Sequence, residues 1–128
     1  MMTADLDSNI PVPVLRLVEL AVEAWRLERW LVQCDPGQST APIRYAARRI
    51  SEFLRQAEFE TRDLTGSQYE PGLAIEILDT VRDPTLSSSG AIIDEMISPI
   101  CLWRGVVVRH GQAVIRSPVQ PDAQGETA

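Results

Sequence analysis

The chain has 128 residues, 45% of them hydrophobic, which suffices for one domain with a core but leaves no apolar run near the roughly 20 residues that span a bilayer. Eighteen acids against twelve bases give a net charge of −6, which argues against general binding to a phosphate backbone. All twelve bases are arginine, so lysine Schiff-base chemistry and a P-loop lysine are excluded.

Residues 1–11 are polar and read as a flexible start. Met1-Met2-Thr3-Ala4-Asp5 lacks the basic-then-apolar order of a signal peptide, so the expected location is cytoplasmic. Pro11 and Pro13 restrict the chain just ahead of a helix spanning Val14 to Val32. Leu17, Leu20, Ala24, Leu27 and Leu31 step by three and four along it, and Val14, Val18, Ala21 and Trp25 form an adjacent stripe. Two stripes make a face wider than a two-stranded seam needs, so this helix should meet its hairpin partner and either the β part or a second subunit. Leu17, Leu20, Leu27 and Leu31 are the candidate assembly residues.

Cys34-Asp35-Pro36-Gly37-Gln38 is turn chemistry, with Ser39 or Thr40 as cap and Pro42 in the first turn of a second helix running to about Glu58. Residues 12–58 therefore read as an antiparallel helical hairpin. Past Glu58 the period changes. Phe59 to Leu64 reads as a short strand, Leu73 to Leu78 as a half-buried one, and Ala91 to Met96 as a third, with Pro99 forcing an edge or a break. Tyr69-Glu70-Pro71-Gly72 forms a turn before the second of these, and Asp83-Pro84 to Gly90 a polar turn after it. Trp103-Arg104-Gly105 turns into Val106-Val107-Val108, and His110-Gly111 between two apolar runs is a tight-hairpin signal. Residues 59–117 form a small, mostly antiparallel β module, and 118–128, rich in Pro, Gln, Asp and Gly, a disordered tail. The fold class is α+β.

Charge divides within the β module. Between Glu60 and Trp103 lie eight acids and two arginines; between Arg104 and Arg116 lie three arginines and no acid. An acidic and a basic patch suit a polar protein partner.

Catalytic groups are sparse. Cys34, Cys101 and His110 could supply three zinc ligands, but none sits at CxxC or HxxxH spacing, and Cys101 between Ile100 and Leu102 reads as a small buried hydrophobe. His110 is the single histidine, in a turn where imidazole is solvated. Asp94 and Glu95 are neighbours on a strand and point to opposite faces. No GxSxG, HExxH, GxxxxGK or GxGxxG occurs. The expectation is a non-enzyme without cofactor or metal. Trp103 beside Arg104 and Gly105 is either an exposed anchor for a partner or a plug for the β core. Tyr69 and Glu70 form either a plain turn or a docking loop.

The order of a helical segment, an aromatic-acid-Pro turn and a β module closing on Gly-Val-Val-Val-Arg resembles GrpE, the nucleotide exchange factor of DnaK-type chaperones. The resemblance is carried by Gly66, Tyr69, Glu70 and Pro71 at the opening, and by Arg104, Gly105, Val106, Val107, Val108, Arg109, Val114 and Ile115 at the close. Three departures stand beside it, one being that the closing motif's Arg-Pro is Arg109-His110 here. Ala74-Ile75-Glu76 replaces the family's His-Glu-Ala, and two shorter helices replace its long dimerising one. The resemblance implies a cofactor that binds a DnaK-type ATPase through Tyr69, Glu70, Trp103, Arg104 and Arg109, and a possible homodimer through the helices. The alternative is a structural or adaptor subunit assembling through its apolar helices. Neither reading involves nucleic acid or membrane.

Overall fold

A computed structural model describes residues 6–35, 37, 39–86 and 90–118. Apart from 6–11 and Pro118, the expected flexible start and disordered tail lie outside those residues, as do Pro36, Gln38 and 87–89 within the two polar turns. The chain is α+β: two helices, then six strands in two three-stranded, mostly antiparallel sheets.

Helix α1 covers Val14–Val32 and α2 covers Ala41–Gln56. Pro13 ends the extended lead, and its carbonyl accepts the Arg16 N–H (3.0 Å) to close the first turn. Thr40 does the same for α2, accepting the Arg44 N–H (2.8 Å), with Pro42 in the first turn where its missing donor costs nothing. The outer faces carry the exposed pairs Arg16–Glu19, Glu23–Arg26 and Glu52–Arg55, each one helical turn apart and largely screened by solvent.

The first sheet joins β1 (Phe59–Arg62), β4 (Ile100–Trp103) and β5 (Val106–Arg109) in the order β1-β4-β5. The second joins β2 (Ile75–Arg82), β6 (Gly111–Ser117) and β3 (Ile92–Ser98) in the order β2-β6-β3, with β2 parallel and β3 antiparallel to β6. Two cores result. Val18, Ala21, Val22, Ala24 and Leu54 of the hairpin pack on Phe59 and Cys101 of the first sheet. Ile100 and Leu102, one residue to either side of Cys101, pack with Ile75, Ile93, Met96, Ala113, Ile115 and Trp25. The first sheet is thus a middle layer between helices and second sheet, and α1 meets both α2 and the β part.

Two sequence expectations are corrected. His110-Gly111 does not form a hairpin: β5 and β6 belong to different sheets, and the tight turn lies earlier, at Arg104-Gly105 between β4 and β5. The reason is packing. Gly111 sits where a Cβ would lie 2.7 Å from Met96 Cε and 3.1 Å from the Ile100 backbone nitrogen, and its N–H donates to Ala74 O (2.9 Å). The glycine lets the chain squeeze across to the second sheet instead of turning back. The strand expected from Leu73 to Leu78 begins at Ile75 and runs to Arg82, because the Leu73 N–H closes the preceding turn on Glu70 O (3.3 Å). Pro99 makes the expected break, separating β3 from β4 as the chain changes sheets.

Gly111→Ala is expected to lower unfolding free energy by about 1–3 kcal/mol, the usual cost of overpacking a tight core; urea denaturation of the two proteins checks this.

Candidate functional site

The β4–β5 turn and the α2–β1 junction meet at one corner of the molecule. After α2 the chain enters β1 within two residues and with no glycine, so Glu58 takes the left-handed conformation that glycine adopts at helix ends (φ 71°). Across from it, Arg104 occupies the first central position of a two-residue turn, also left-handed (φ 53°), followed by Gly105 (φ 78°). These are the two non-glycine positive-φ positions among the described residues. They face each other. The Arg104 N–H donates to Glu58 O (3.0 Å), and Arg104 Nε donates to a Glu58 carboxylate oxygen (3.1 Å).

The Arg104 guanidinium also lies over the Trp103 ring, 4.5 Å from its centroid. Trp103 is fixed from below: its Nε1–H donates to Ala57 O (3.2 Å), and its ring packs against Phe59 with centroids 6.1 Å apart. A groove of about 880 Å³ opens beside this stack, lined by Arg55, Glu58, Phe59, Glu60, Arg104 and Gly105. Val106 stands exposed next to it. The arrangement holds an aromatic ring, a planar cation and an apolar residue in fixed positions at the surface. Fixed aromatic, cationic and apolar groups at a surface are the kinds of group that anchor protein interfaces.

The energetics single out this corner. Each left-handed non-glycine residue costs roughly 1–2 kcal/mol. A solvent-exposed ion pair such as Arg104–Glu58 contributes only about 0–1 kcal/mol. The ion pair alone does not offset that cost.

The remaining candidates distribute as follows. Tyr69 is half-buried against the inter-sheet core and its N–H donates to Ala91 O (2.9 Å), so its ring serves packing, while Glu70 is exposed. Arg109 is exposed at the far end of β5, paired in register with Cys101. The structure therefore brings Trp103 and Arg104 together and leaves Tyr69, Glu70 and Arg109 apart from them. Cys101 is wholly buried, and burial pushes its thiol above the ordinary range, which makes it inert as a nucleophile. Cys34 is half-buried just past α1, and His110 is exposed between the sheets. Asp94 and Glu95 take separate arginines, Arg116 (3.0 Å) and Arg29 (3.4 Å). Arg116 also reaches Asp83 (3.3 Å), whose carboxyl is held low chiefly by the Thr85 hydroxyl and backbone N–H and then by Arg116. Glu58, central to the corner, carries no sequence signal beyond the direct helix-to-strand passage Gln56-Ala57-Glu58-Phe59 without a glycine.

On α1, Leu31 is buried within the hairpin, Leu17 and Leu27 are half-buried, and Leu20 is 39% exposed. On α2, Ile43, Ala46, Ile50, Phe53 and Ala57 repeat the same three-four spacing, with Ile43 41% and Phe53 53% exposed. The stepped positions left exposed are Leu20 on α1 and Ile43, Ala46 and Phe53 on α2. No described helix is long and apolar enough to cross a membrane. No protein-family model matches the chain, and no curated protein matches it significantly.

Arg104→Gly relieves the left-handed strain while losing the ion pair and the cation–π contact, about 0.5–1 kcal/mol at an exposed site. Stability within about 1 kcal/mol of the parent is expected in urea denaturation.

Proposed function

We propose that the chain is a non-enzymatic protein-interaction cofactor, a GrpE-like nucleotide exchange factor acting on a DnaK-type chaperone ATPase. The observation that carries this reading is the Trp103–Arg104–Glu58 corner, a strained and preorganised surface on a rigid β module within the segment that resembles the family. Preorganisation lowers the side-chain entropy lost on docking, which favours a partner-binding role. The partner's cleft would take the β module in its open state and reject it when closed. A tenfold preference for the open state shifts the partner's equilibrium tenfold, about 1.4 kcal/mol, and speeds ADP release by that population shift.

The exposed apolar residues Leu20, Ile43 and Phe53 on the helices favour a second reading, a structural or adaptor subunit that assembles through its helices, as a homodimer or with another chain. The two readings are compatible if assembly presents the β modules, and they separate by mutation.

Release of fluorescent ADP from a DnaK-type ATPase should accelerate at stoichiometric amounts of this protein, and Arg104→Gly should lose at least tenfold of that effect at unchanged stability. Acceleration by neither protein removes the exchange reading. Independently, a Leu20→Glu, Phe53→Glu pair should convert an assembled species to monomer in sedimentation velocity without loss of helical circular dichroism, since both side chains are largely exposed within the chain; a parent that is monomeric at high concentration removes the homodimer.

A further inference from the structure

The second sheet treats its two edges differently. Strand β3 is blunted along its length. Its Ile93 carbonyl accepts the Gly66 N–H (2.8 Å) and its Ile93 N–H donates to Ser67 O (2.9 Å). Its Met96 N–H donates to the Thr65 hydroxyl (3.2 Å), and its Met96 carbonyl accepts Arg29 Nη1 (2.6 Å) from α1. Loop and helix together cover that edge, as proteins do with strand edges that must not pair.

Strand β2, at the opposite edge, is the longest strand and has no such cover among the described residues. Beyond its first residues no backbone partner among the described residues lies on its outer side; the Thr80 N–H turns to its own neighbour's carboxylate, Asp79 Oδ1 (2.8 Å). Ile77, Leu78 and Val81 are 38%, 48% and 37% exposed, an apolar content unusual for an edge left open to water. Leu78 falls at a bulge in the pairing with β6.

Charge along Glu76–Asp79 is also unbalanced, the one base of the strand, Arg82, standing at its far end. Asp83, Asp94, Glu95, Glu60 and Glu58 each have an arginine within 4 Å. Glu76 and Asp79 have none among the described residues: Glu76 accepts only the Gln112 amide (3.2 Å), and Asp79 only the Thr80 N–H. Their register partners on β6, Gln112 and Val114, place both carboxylates on the face that does not bear the buried Ala113 and Ile115.

We propose that the open edge of β2 is a docking site for an extended segment of a protein partner, apolar residues alternating with basic ones, which adds to the sheet as a further strand. Backbone hydrogen bonds along Glu76–Arg82 would supply affinity. Arginine or lysine opposite Glu76 and Asp79, with apolar residues over Ile77 and Leu78, would supply selectivity. The site is distinct from the Trp103–Arg104 corner, and the proposal does not depend on the identity of the corner's partner.

The test uses the full chain, isotope-labelled, with two synthetic peptides of about ten residues as probes, one alternating valine with arginine and one alternating valine with glutamate. Residue-resolved amide exchange should show protection of Glu76–Arg82 by the arginine peptide, at least about tenfold weaker protection by the glutamate peptide, and loss of affinity with added salt. Thr80→Pro blocks strand addition without changing charge, and Glu76→Gln with Asp79→Asn removes the selectivity; each should weaken the arginine peptide roughly threefold to tenfold. Retained protection of Ile93 and Ala113 shows that a variant is folded. Equal binding of the two peptides, protection located elsewhere, or protection of β2 that rises with protein concentration in the absence of peptide would each overturn the proposal, the last by assigning the edge to a second copy of the chain.

Discussion

Strand β4 is four residues long and its first three residues have no solvent face. Ile100 and Leu102 are committed to one core and Cys101 to the other, so the strand is wedged between the helical hairpin and the second sheet. Every other part of the molecule is placed by that wedge. The hairpin has something to lie on because Cys101 and Phe59 present a flat apolar surface. The second sheet closes over the other side because Ile100 and Leu102 face it. A side chain at Cys101 much larger than a thiol would push the hairpin away, which is why a small residue occupies the centre of a layer crowded from both directions.

The wedge also explains the geometry of the exposed corner. A strand pinned on both faces cannot shift to relieve its ends, so the turn that follows it must accept whatever backbone the short connection demands. Arg104 takes the left-handed conformation there, and α2 must deliver Glu58 to the same point because β1 pairs with β4 from Phe59 onward. Trp103, the last residue of β4, is half-exposed because its ring caps the layer at that end. Core demand and surface presentation are thus met by consecutive residues of one strand.

Much of this was legible from local pattern. The three-four stepping of Leu17 to Leu31 and of Ile43 to Ala57 marks both helices, and the alternation around Ile75 marks a strand, whereas Ile92 to Trp103 reads as one largely apolar tract interrupted at Pro99. Pairing was not legible. His110-Gly111 carries the same local signal whether the chain folds back or crosses between sheets, and the choice is made by Met96 and Ile100, residues distant in sequence that crowd the glycine. The parallel pairing of β2 with β6 is a non-local outcome of that crossing. At the corner, Trp103 and Arg104 could be picked out as a pair, but the groups that orient them, Glu58 and the Ala57 carbonyl, arrive from another element and leave no trace in the neighbouring sequence. Tyr69, chosen for its place in a turn, turned out to be shared with the inter-sheet core.

Arg29 has its guanidinium 4.6 Å from the Trp25 ring centroid and donates to the Met96 carbonyl, so the last half of α1 is fastened to the far sheet as well as to the near one. The helix therefore acts as a strut clamped at two points along the β stack. Any tilt of the hairpin away from the near sheet must therefore also break the Arg29–Met96 contact with the far one.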